Sequence, residues 1–123
     1  MPSDPLGILL ISGGHERAHY AFLLAAGAAA IDRAVVIFAT NAGCHALTAD
    51  AVLDRREAEV QAAGVAGLGT LRDACRELGV KLLACEAGMR VAGLDAGRLI
   101  SGVEVAGVPH FLAEVGRGQI VTL

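Results

Sequence analysis

Apolar residues fall along this chain in two alternating rhythms. Residues 6–11 (LGILLI) form a short continuous apolar run closed by Ser12-Gly13-Gly14, which predicts a strand buried on both faces and ended by a tight turn. Residues 15–31 then place Ala18, Phe22, Ala25, Ala26 and Ala29 at helical spacing in an alanine-rich segment. A second run, 34–39 (AVVIFA), is β-branched and aromatic and breaks at Thr40-Asn41-Ala42-Gly43. Strand, helix and strand predict a βαβ crossover.

The rhythm weakens after Cys44. Residues 45–63 are compatible with a helix but carry the cluster Asp54-Arg55-Arg56-Glu57, which reads as a solvated face on an insertion or flap. Leu71, Ala74, Cys75 and Leu78 restore helical spacing over 68–78, and Gly79 is placed to stop that helix. Residues 80–85 (VKLLAC) predict a third strand, with Gly88 as a turn former beyond it. A short helix or turn is expected over 89–94, and a helix over 95–105 opened by Asp95 as its cap. Pro109 opens a last helix over 109–115, and a terminal strand comes after it over 119–123. Four or five short strands alternating with helices predict an α/β domain with a mainly parallel sheet covered on both faces.

Composition narrows the picture. With 123 residues the chain suits one domain, 1–123, and 54% hydrophobic against 19% charged residues, at a mean hydropathy of +0.57, places it far from disorder. The longest nearly unbroken apolar stretch, 21–31, is too short for a bilayer span, which needs about 20 residues. The opening MPSDPLG lacks the cationic and apolar segments of a secretory leader, so a cytoplasmic location is expected. A net charge of −3, with Lys81 the one lysine, argues against nucleic acid as a partner, and Tyr20, Phe22, Phe38 and Phe111 are too scattered for a base-stacking platform. So apolar a chain with so few charges is expected to self-associate.

Candidate chemistry collects where open α/β sheets gather ligands, at the carboxyl ends of the strands. Those ends supply Gly13, Gly14 and His15; then Asn41, Gly43, Cys44 and His45; then Cys85, Glu86 and Arg90. Three cysteines without a CxxC spacing do not make a disulfide scaffold, and Cys75 lies on the apolar stripe of its helix. Cys85 differs by position: a helix N-terminus and Arg90 beside it would favour its thiolate. A zinc site from His15, Cys44, His45 and Cys85 would need residues from separate loops to converge, and no metal or other cofactor is expected. Neither GxGxxG nor a P-loop is present, and Ser12 stands outside any GxSxG elbow.

The stretch 79–89 (GVKLLACEAGM), continued at 102–107 (GVEVAG), resembles the DsrE/DsrF-like group. The first strand with its glycine turn, the 35–38 strand running into Thr40-Asn41-Ala42-Gly43, and the start of the last helix at 107–111 also fit. The resemblance implies a three-layer α/β/α domain with a mostly parallel, about five-stranded sheet, assembled as a trimer or hexamer. It further implies a sulfurtransferase-like persulfide carrier in intracellular sulfur transfer, with Cys85 as the catalytic position. Partners would be sulfur donor and acceptor proteins or small thiols. Gly13, Gly14, His15, Asn41, Cys44, His45, Gly88 and Arg90 are the expected pocket neighbours, and the Cys85 sulfur is expected to be reachable from that pocket. A rival expectation is a non-catalytic oligomeric binding module that holds a small anion or metal at the strand ends.

Overall fold

A computed structural model describes residues 4–123. Three strands lie where continuous apolar runs predict them: β1 (Leu6–Leu10), β2 (Val35–Ala39) and β3 (Lys81–Cys85). With β4 (Val103–Ala106) and β5 (Gln119–Thr122) they make a five-stranded sheet in the order β4-β3-β2-β1-β5, with every pairing parallel. The chain therefore steps outward from β1 to β4 and then returns to place β5 on the other side of β1. That reversal beside β1 is the switch point where such sheets characteristically take ligands.

Register assigns the two faces of the sheet. Ile8, Ile37, Leu82 and Val103 are aligned across four strands and pack under the helices α1 (His15–Ala30) and α3 (Leu68–Glu77). Alanines at 18, 21 and 25 let α1 lie close to the sheet while Phe22 fills the space between. The opposite face carries Val36, Phe38, Leu83 and Cys85, covered by Phe111 and Val115 of α5 (Val108–Val115). There the Phe38 and Phe111 rings stack with centroids 4.8 Å apart. Two cores thus sandwich the sheet and give the three layers expected. Among the described residues no helix is long and apolar enough to cross a membrane.

Two expectations are corrected. Residues 45–63 are not one helix: the chain forms 3-10 segments at Asn41–Leu47 and Ala49–Leu53, and then the short α2 (Arg56–Ala62). Residues 95–105 are not a helix either. Asp95 does cap, accepting from the Gly97 amide, but only over the single 3-10 turn Ala96–Arg98, after which the chain enters β4. The reason is tertiary. Thr48 and Leu99 form an isolated antiparallel bridge, and the Ile100 amide donates to the Leu47 carbonyl, so this segment is spent tying down the 3-10 region.

Candidate functional site

The carboxyl edge of the sheet holds two distinct arrangements. At the end of β3, Cys85 is both the last strand residue and the N-cap of α4 (Glu86–Ala92), and its Sγ accepts the Gly88 amide at 3.4 Å. Because α4 starts at once, there is no loop here. A side chain at Gly88 would collide with Thr40 Oγ1 and the Asn41 amide nitrogen, so α4 lies flush against the end of β2. Asn41 itself takes a left-handed φ of 50°, which asparagine tolerates better than most residues.

The three cysteines differ in burial and in the sense of their hydrogen bonds. Cys44 and Cys75 are 0% exposed, and their thiols donate to the carbonyls of Ala39 and Phe22. Burial pushes each of them up to about 11, and for Cys44 the charge of nearby Cys85 adds to the push. Cys85 keeps 5% exposure, and its sulfur is a hydrogen-bond acceptor. An amide proton aimed at sulfur stabilises negative charge there. Arg90, expected to aid the thiolate, instead reaches the exposed Glu86 at 3.0 Å, which also gives that neighbouring carboxylate a partner.

At the end of β1 the chain leaves through Ser12-Gly13-Gly14, and the 3-10 segments roof a cavity of about 360 Å³. Gly13, His15 and His45 line it, as do Ser12, Asp50, Asp54 and Arg98. Gly14, Asn41, Cys44, Cys85, Gly88 and Arg90 do not, so the strand-end residues are divided between two places and the Cys85 sulfur does not open into this cavity. The physical cause is local: β1 is succeeded by a loop with space above it, whereas β3 is succeeded immediately by packed helix. His15 also borders a second, shallower hollow with His19, Arg55 and Arg56.

His15 is held by Glu57, the residue that sequence reasoning assigned to a solvated run. Its Nε2 donates to Glu57 Oε1 at 2.7 Å, and both side chains are buried. Glu57 in turn accepts the Leu68 and Gly69 amides at the start of α3. Burial pushes the Glu57 carboxyl up, but the His15 bond and the two amides together outweigh it and hold the group below its ordinary value. His19 stacks on His15 with centroids 5.8 Å apart, and its Nε2 donates to the Ala66 carbonyl. Arg72 is buried, and its Nη1 donates to the Ala46 and Thr48 carbonyls at 2.8 Å each. Arg98 pairs with Asp50 at 2.6 Å across the cavity rim. Among the described residues no three His, Cys, Asp or Glu side chains converge to hold a metal ion.

Comparison with known proteins agrees with the fold. The chain is similar to the YchN protein of E. coli, with a TM-score of 0.77 at 12% identity and full coverage of both chains. It is also similar to the protein MTH1491 of Methanobacterium thermoautotrophicum, with a TM-score of 0.63 at 18% identity, covering 98% of this chain and 100% of the other. In sequence it is 29% identical over 147 aligned positions to the uncharacterized protein YrkE of Bacillus subtilis (strain 168), covering 92% of each. Residues 54–123, more than half of the chain and including Cys85, match one family model, and the chain belongs to the DsrE/DsrF/DrsH-like family.

Proposed function

We propose that the protein carries sulfane sulfur as a persulfide on Cys85. The observation that supports this most directly is the contrast among the cysteines: Cys44 and Cys75 are fully buried and donate as thiols, whereas the Cys85 sulfur accepts an amide hydrogen and its residue, though also buried, keeps 5% exposure. Family membership adds the sulfur-relay context. In the first step the Cys85 thiolate attacks the outer sulfur of a donor persulfide. A Cys85 S–S bond forms, the donor S–S bond breaks, and the donor leaves as a thiolate that takes up the proton released from Cys85. An acceptor thiolate then attacks the outer sulfur and regenerates Cys85, with no net oxidation over the cycle.

The reading extends to assembly, with a second copy of the chain as partner. Val108 and Leu112, one turn apart on α5, are each 51% exposed, while Phe111 and Val115 face the sheet. This apolar stripe supports closure by another copy, in the trimer or hexamer that the resemblance implies.

Intact-mass spectrometry after exposure to glutathione persulfide tests the reading. The wild-type chain and the Cys44→Ser and Cys75→Ser variants should each gain about 32 Da per retained sulfur, and Cys85→Ser should gain none. Equal uptake by Cys85→Ser, or none by the wild type, overturns it.

A further inference from the structure

The cavity at the end of β1 is independent of the sulfur chemistry, since Cys85 does not line it. At about 360 Å³ it sits near the lower limit of small-molecule sites, which run from about 300 to 1,000 Å³. That is room for a molecule of amino-acid size and too little for a dinucleotide.

Its polar groups carry both signs. Arg98 supplies a guanidinium, and its pairing with Asp50 is between half-exposed side chains, a weakly held arrangement that leaves other donors of the fork for a ligand. Asp54 supplies a carboxylate: one oxygen accepts the Arg56 amide at 2.9 Å, and the other has no partner among the described residues. His15 supplies an acceptor. With the Nε2 proton committed to Glu57, the neutral form of the ring presents a lone pair at Nδ1. Nδ1 makes no hydrogen bond among the described residues, and the ring borders the cavity.

The free donors and acceptors of the lining then select the ligand class. With neutral histidines the lining holds two carboxylates against one guanidinium. A free anion meets net repulsion, and a simple cation can use Asp54 but leaves the donors of the Arg98 fork that Asp50 does not occupy without a ligand contact. A molecule bearing both an ammonium and a carboxylate satisfies each group, and Ala18, Ala46 and Leu68 offer apolar contact to a short side chain. We propose that this cavity binds a small zwitterion of the α-amino acid class, its ammonium donating to Asp54 and His15 and its carboxylate accepting from Arg98.

Titration of the full chain with L-alanine, L-serine and L-cysteine, read by amide NMR and calorimetry, tests the proposal. At least one should bind saturably at one per chain, shifting resonances of Gly13, His15, Ala46, Asp54 and Arg98. Propionate and ethylamine, each carrying half of the charge pair, should bind at least tenfold more weakly. Asp54→Asn, at an exposed position, should keep the fold and weaken binding tenfold or more, while Cys85→Ser should bind like the wild type. The proposal is overturned if no amino acid binds saturably, if inorganic phosphate or a single-charge probe binds as well, or if Asp54→Asn has no effect. It is equally overturned if Cys85→Ser abolishes binding while remaining folded.

Discussion

The ends of β1 and β3 lie on the same edge of one sheet, yet they are built to opposite plans. At β1 a glycine turn leaves space, and the 3-10 segments enclose a cavity with two imidazoles, two carboxylates and a guanidinium but no sulfur. At β3 the strand runs straight into α4, so the sulfur is present and the space is not. The strand-end rule selects an edge of the sheet. The few residues after each strand decide whether that edge becomes a hollow or a packed corner. Under the proposed carrier role, chemistry at the packed corner would need local movement of α4 or shape completed by another copy. A ligand at the open end needs neither.

The contrast can be broken from the cavity side with the largest effect. Glu57→Ala removes a buried carboxylate that serves His15 and two helix amides, and should cost about 3 kcal/mol or more in urea denaturation. Its charge also gives stability a pH dependence. Because the folded-state value of Glu57 lies below its ordinary 4.5, its contribution is fully present above that pH and is lost as pH falls through the lowered value. Glu57→Gln should flatten that acid limb, and an unchanged limb would show that the Glu57 charge does not stabilise the fold through His15 and the α3 amides.

From the sulfur side, Gly88→Ala forces a methyl group against Thr40 and the Asn41 backbone, with an expected loss of about 1 to 3 kcal/mol. Since it pries α4 away from β2, it should also speed alkylation of Cys85 by iodoacetamide, relative to Cys44 and Cys75. No change in either readout would mean that α4 does not gate the sulfur. The smallest effect belongs to Glu86→Gln, which removes an exposed pair with Arg90. It should shift stability by under about 0.5 kcal/mol and leave sulfur uptake within twofold of the wild type.

Much of this architecture was legible because β1, β2 and β3 are buried on both faces and so appear as unbroken apolar runs. β4 was hidden because it is a four-residue edge strand carrying Glu104, preceded by an aspartate that does cap, though only one turn. Glu57 was hidden for a different reason. Its neighbours Asp54, Arg55 and Arg56 are exposed as a charge run should be, and distant partners, His15 and the start of α3 eleven residues on, draw the fourth member inward. A glutamate set before a glycine-opened helix start was the one available cue, and it is weak. Cys85 stood out by its strand-end position, but its helix-capping role depends on how soon α4 begins, which spacing alone does not reveal.

Persulfide carriage on Cys85 is decided by locating the extra sulfur. Trypsin separates the three cysteines onto different peptides: Cys44 within 34–55, Cys75 within 73–76 and Cys85 within 82–90. After loading with glutathione persulfide, trapping with iodoacetamide and digestion, the added sulfur is expected on the 82–90 peptide alone. Sulfur on the 34–55 or 73–76 peptide, or on none of the three, would contradict it.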